Sequence, residues 1–120
     1  MAAHNEVGAL GEQIACNYLQ REGYTIEAIN WNYDRAELDI IARIKEVLVF
    51  VEVKTTSSSL SQPSLALHPR KQNLLAKAAI AYTHKVQHEW EIRFDLIVVT
   101  LDENWMDKIE HYTDAFFPGL

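Results

Sequence analysis

Apolar and polar positions along this chain repeat with two different periods, and the switches between them mark out its elements. From Val7 to Arg21, Ile14, Ala15, Tyr18 and Leu19 recur at helical spacing, and Gly23 stands just beyond as a stop. Tyr24 to Trp31 reads as a first strand. Glu37 to Ile44 and Val47 to Lys54 read as a second and third, joined tightly enough for a hairpin. The run Val47-Leu48-Val49-Phe50-Val51 is β-branched and aromatic, the composition of a buried strand. Thr55 to Pro63 is polar and rich in serine, which predicts a mobile loop. His68-Pro69-Arg70-Lys71 opens a second helix to about Lys85, with Pro69 suited to its first turn. Its buried stripe is Leu74, Leu75, Ala78, Ala79 and Tyr82. Ile92 to Leu101 is a fourth strand, and Met106 to Tyr112 a fifth at the edge. Helix, three strands, helix, then one or two strands is an α/β order.

Side chains alternate along a strand, so parity sorts residues to faces. On the third strand Val47, Val49, Val51 and Val53 form an apolar face, while Leu48, Phe50, Glu52 and Lys54 run from buried to charged. On the second, Glu37 and Asp39 share a face with Ile41. A hairpin turning at Lys45-Glu46 pairs Ile44 with Val47, hence Asp39 with Glu52 and Glu37 with Lys54. Opposed residues have Cβ atoms about 5 Å apart, so Asp39 and Glu52 would repel unless they shared a cation. Lys45-Glu46 lacks the Asn-Gly chemistry of a tight turn, and a slip of one residue would send Asp39 to the other face.

Charged groups ending an apolar strand are costly to bury unless they work together. A hard divalent cation with a lysine beside a scissile phosphate gives Asp39, Glu52 and Lys54 that work, and makes a nuclease the leading reading. The competing reading is a solvated salt-bridge ladder of Glu37 with Lys54.

Length and charge restrict these readings. At 120 residues the chain is expected to form one domain. Lys and Arg total 11 against 17 Asp and Glu, a formal net charge of −6. Tight DNA binding goes with a basic excess, although a bound cation would offset several acids locally. The balance predicts weak, salt-sensitive binding, or an accessory protein that supplies DNA affinity. The single cysteine, Cys16, excludes an internal disulfide and fits a reducing cytoplasm as a small core hydrophobe. Met1 to Glu6 lacks the basic and apolar regions of a signal peptide, and no stretch has the length of a membrane span.

The pattern resembles the PD-(D/E)xK nuclease superfamily, and the whole chain looks more closely like the small bacterial YraN-like family, itself similar to archaeal Holliday-junction resolvases. The matching segments are Gly8-x-x-Gly11-Glu12 with Ala15, Tyr18-Leu19 and Gly23-Tyr24; Asn30-Trp31; Ala36 to Ala42; Val49 to Lys54; Pro69-Arg70-Lys71-Gln72; Arg93-Phe94-Asp95; and Asp114-Ala115-Phe116. Ala36 stands where that family more often has glycine, and Leu38 replaces the superfamily's proline.

The resemblance implies a restriction-endonuclease-like core, a mixed central sheet flanked by helices. It implies Mg²⁺ or Mn²⁺ held by Asp39 and Glu52, with the Val53 carbonyl. Lys54 would orient or deprotonate the attacking water. Glu12 would complete the metal site; its alternative role is a first-turn acid complementing the helix dipole. Glu37 would support the site by pairing with Lys54 or Arg35. Lys71, with Arg70, would hold a phosphate, or Lys71 is a plain solvated lysine. The substrate would be DNA, branched or single-stranded, and a homodimer is expected by analogy with resolvases. The alternative function is a non-cleaving nucleic-acid- or protein-binding module; a weaker one is an oligomeric structural protein with Ala115-Phe116-Phe117 as interface.

Remaining candidates have blander explanations. Arg93 and Asp95 read as a structural ion pair. His84-x-x-x-His88 has helical zinc-ligand spacing but no third ligand nearby. Trp31, Trp90, Trp105, Phe116 and Phe117 read as core or edge packing rather than base-stacking platforms.

Overall fold

The computed structural model describes residues 2–57, 67–102 and 107–116. Its elements are α1 (Ala2–Arg21), β1 (Thr25–Tyr33), β2 (Ala36–Ile44), β3 (Val47–Ser57), α2 (Pro69–Lys85), β4 (Ile92–Leu101) and β5 (Lys108–Tyr112). The five strands form one sheet in the order β1-β2-β3-β4-β5. Only β3 and β4 run parallel, because the connection carrying α2 returns the chain to the same edge; the other neighbours are antiparallel. The α/β class and mixed sheet expected from the sequence are therefore present.

The parity of β3 divides the interior as its pattern predicts. Leu48 and Phe50 pack with Leu75, Ala78, Ala79 and Tyr82 of α2. Val49 and Val51 pack with Ala15, Cys16 and Leu19 of α1. The two helices thus cover opposite faces of the sheet. The β2–β3 hairpin turns at Lys45-Glu46 in the expected register, Ile44 opposite Val47 through Ile40 opposite Val51. Lys45 supplies the left-handed residue the short turn needs, at φ 53°.

Several boundaries differ from expectation. Helix α1 begins at Ala2 rather than Val7, and β1 runs on to Tyr33, paired with Ala36. Thr55, Thr56 and Ser57 are strand, not loop, because β4 continues beside them as far as Leu101. The rest of the predicted loop, 58–63, lies outside the described residues, as do Trp105, Met106 and Phe117. Trp31 and Phe116 do pack, against Tyr82 and Phe94 respectively. Trp90, expected in a core or edge, is 67% exposed.

Strict alternation also fails on β2, where the sequence pattern placed Asp39 with Ile41. Leu38 and Ile41, three residues apart, both pack on the α2 side. On β1 the same is true of Ala28 and Trp31, which are paired with Ile41 and Leu38. Between them Asn30 takes a left-handed φ of 51°. Both strands therefore change face at one level, that of Asn30 and Asp39. Beyond it the β2–β3 ladder stops.

Helix α1 approaches β3 most tightly at Gly11. A Cβ there would stand 1.9 Å from Thr55 Oγ1 and 2.9 Å from Thr55 Cβ, so α1 can lie at this depth only with glycine. Gly11→Ala should destabilise the fold by about 1–3 kcal/mol in urea unfolding. Combining it with Thr55→Gly should cost less than the two changes summed. Strict additivity would show that the close approach is not what glycine serves.

Candidate functional site

Where β2 leaves β3, four carboxylates come together. The register carried one step past Ile40–Val51 sets Asp39 level with Glu52, as expected, but the ladder has ended there. In its place the Val53 amide donates to Asp39 Oδ2 at 2.8 Å, so a side chain takes the bond a strand partner would have made. Asp39 also shares a hydrogen bond with the Glu52 carboxyl. Glu52 is 6% exposed and pairs through Oε2 with Lys71 Nζ at the start of α2.

Glu12 enters from α1, one residue beyond the glycine that lets the helix sit deep. It lies ten residues into a helix that starts at Ala2, so a first-turn role complementing the dipole is excluded. The Asn30 side chain hydrogen-bonds it. One carboxylate oxygen from each of Glu12, Glu37 and Asp39 lies within 4.8 Å of the other two. Glu37 therefore belongs to the acidic group, where the expected register had set it opposite Lys54.

Crowding in a partly dry site shifts these groups. Burial, then the charge of Glu52, pushes Asp39 up to about 8 against the opposing Val53 amide, with the shared Glu52 hydrogen bond and Glu12 adding to the rise. Burial raises Glu12 as well; Asn30 opposes this, while Glu37 and Glu52 reinforce it. Lys54 moves the other way: burial lowers its pKa, Glu52 resists, and Lys71 adds to the lowering.

A fully buried aspartate shows the contrast with the half-buried Asp39. Asp95 is wholly buried on β4, yet its carboxyl stays below its ordinary value. Burial pushes it up, but His111, Arg93 and the Asp114 amide outweigh that. Arg93 holds both its oxygens at 2.8 Å, which is the structural ion pair the sequence suggested. His111 Nε2 lies 2.8 Å from Oδ2, and the Asp114 amide donates to Oδ1 at 2.9 Å.

Beside the carboxylates lies a cleft of about 610 Å³ between the start of β2 and the first turns of α2. Arg35, His68, Arg70 and Lys71 line it with Leu74, Leu75 and Ala36, and Glu37 joins its wall to the acidic group. His68 caps α2, its Nδ1 accepting from the Arg70 amide at 3.1 Å. Lys71 faces both the cleft and Glu52.

Sequence reasoning missed three of these contributors. Asn30 stands in a segment that matches the family resemblance, but its tie to Glu12 carried no signal beyond a residue type tolerant of left-handed backbone. His68 was read as a helix opener without its capping bond, and Arg35 only as a partner for Glu37. The histidine pair is not a metal site here. Helix α2 ends at Lys85, and His88 is turned to Arg43 and to the Glu91 carbonyl, 3.2 and 2.9 Å away.

A family model described as "Uncharacterised protein family UPF0102" matches residues 11–99. The chain belongs to that family. It is 43% identical over 118 residues to a UPF0102 protein of Flavobacterium psychrophilum, covering 98% of each chain. A UPF0102 protein of Bacteroides thetaiotaomicron is 43% identical over 121 residues, covering 100% of this chain and 99% of its own. One from Chlorobium phaeobacteroides is 40% identical over 117 residues, covering 92% of each. The family segment starts at Gly11, spans every carboxylate of the site with Lys54 and Lys71, and ends in β4 before β5. Among the described residues, no helix of this UPF0102 member is long and apolar enough to cross a membrane.

The electrostatics predict how the metal-free protein responds to pH. Asp39 is raised from an ordinary 3.8 to about 8, so the folded state keeps a proton that the unfolded chain loses. Its contribution to stability is complete below about pH 4 and is lost as pH rises through about 8. In EDTA, Asp39→Asn should be more stable than wild type at pH 8 by about 1 kcal/mol or more, with the gap closing toward pH 4. Thermal melts across that range measure it, and a pH-independent gap would contradict the assignment.

Proposed function

We propose that this chain is a metal-dependent endonuclease with a PD-(D/E)xK-type site on a restriction-endonuclease-like fold, hydrolysing phosphodiester bonds in DNA, branched or repair intermediates included. The observation that carries the reading is the unmatched state of Asp39. The fold surrounds Asp95 with an arginine, a histidine and an amide, but surrounds Asp39 with further carboxylates. Four oxygen donors at one strand end suit a hard divalent cation, Mg²⁺ or Mn²⁺.

Asp39, Glu52 and Glu12 would hold the ion with the Val53 carbonyl, and Glu37 would support them. When bound, the cation would neutralise charge on the phosphate and acidify a coordinated water. Lys54 would complete the chemistry: burial lowers its pKa, which eases its taking a proton from the attacking water, and its charged form would stabilise the phosphate. Lys71 holds Glu52 through an ion pair, and its place on the cleft wall lets a phosphate compete for it. Substrate would thereby draw Lys71 off Glu52 and free that carboxylate for metal. Homodimerisation and an accessory DNA-binding protein are compatible with this arrangement. The formal net charge of −6 favours a second reading, a module that binds without cutting.

Purified protein incubated with branched, flapped and single-stranded DNA plus Mn²⁺ or Mg²⁺ separates the two. Cleavage should fall at least a hundredfold in Asp39→Ala and in Lys54→Ala. Cleavage that survives those changes sinks the mechanism, and binding without cleavage supports the module. Added Mn²⁺ should also raise the melting temperature of wild type but not of Asp39→Ala. Lys71→Ala should bind Mn²⁺ several-fold more tightly in the absence of DNA while binding DNA more weakly. Titration calorimetry reads both, and unchanged metal affinity would remove Lys71 from its competing role.

A further inference from the structure

The cleft beside the carboxylates is built differently from a surface that only follows a phosphate backbone. Arg35, Arg70 and Lys71 line it together with the apolar Ala36, Leu74 and Leu75. Leu75 is 3% exposed and belongs to the core, and Leu74, half-buried against the same cluster, presents the apolar surface of the cleft. A phosphate gains nothing from an apolar floor, and a stacked duplex has no free base face to lay on one. At about 610 Å³ the cleft has the size of a small-molecule site, which suits a nucleotide and is too small for a duplex.

We propose that this cleft receives one unpaired nucleotide of the strand to be cut, its phosphate held by Arg35, Arg70 and Lys71 and its base laid on Leu74. The assignment rests on the nuclease reading only for the words "to be cut"; the pocket itself needs no metal. It makes unpaired strand, at a flap, gap or junction arm, the preferred substrate. The contiguity is direct. Glu37 belongs to the cleft wall and to the acidic group, and Lys71 reaches from the same wall to Glu52. A nucleotide seated here would lie beside the groups proposed to act on its neighbouring phosphate.

The test uses full-length protein in EDTA, with a fluorescent single-stranded oligonucleotide as reporter. Deoxynucleoside 5′-monophosphate, inorganic phosphate and blunt duplex serve as competitors. The monophosphate should compete at least about fivefold better than inorganic phosphate, and the single strand better than the duplex per nucleotide. Leu74→Gln should bring the monophosphate down toward phosphate, whereas Arg70→Ala should weaken both. Circular dichroism checks that Leu74→Gln folds; should it not, the exposed Arg35→Ala and Arg70→Ala still test the cleft. Equal competition by phosphate and monophosphate, or full competition by duplex, overturns the proposal. Cleavage without nucleotide preference would leave the nuclease reading standing and remove this one. Nucleotide preference without metal-dependent cleavage would do the reverse.

Discussion

The site depends on one hydrogen bond that a sheet would not ordinarily make. Past Ile40–Val51 the two strands of the hairpin part, and the Val53 amide is satisfied by Asp39 Oδ2 instead of a strand partner. That substitution lets β2 diverge without orphaning a buried donor, a loss that would cost about 1–3 kcal/mol. It also fixes Asp39 within hydrogen-bonding reach of Glu52. The divergence opens the space that Glu12 enters from one face and Lys71 from the other. Every other group in the site is placed relative to this break.

Much of this was legible in the residues, and the failures share one physical cause. The third strand announced itself because both its faces are buried until Glu52, so composition and parity agreed. The hairpin register followed from its short turn. Alternation failed at Asp39 because parity assumes a regular strand, and nothing local in Leu38-Asp39-Ile40 signals that the face changes there. The change is shared with β1 through Asn30, at a distance in sequence that periodicity does not reach. Glu12 was found through resemblance, yet its depth comes from Gly11 against Thr55, a contact between elements more than forty residues apart. Arg35 was hidden for a simpler reason: a turn residue shows its charge but not the cleft it borders.

Net charge was the observation most opposed to a nucleic-acid partner, and its distribution changes what it means. The acids of the site are gathered at one strand end, while Arg35, Arg70 and Lys71 line the adjoining cleft. At physiological salt, screening confines each patch to about 8 Å, so a ligand in the cleft responds to the local cations more than to the total of −6. Overall acidity then limits affinity for long duplex more than it limits occupancy of the cleft.

The two interior aspartates decide how the acidic group should be understood. A fold of this size can bury a carboxylate at little cost, as Asp95 shows with an arginine, a histidine and an amide arranged around it. Asp39 receives one amide and three carboxylate neighbours instead. An apolar residue at Asp39 would remove the repulsion but orphan the Val53 amide, so stability alone would be served by a neutral acceptor there rather than by a carboxylate. Apart from the Val53 amide, the groups gathered around Asp39 are carboxylates, and Lys71 is paired with one of them, Glu52. On the metal-dependent reading proposed above, a small, hard, multivalent cation would relieve Asp39, and with it Glu12 and Glu37.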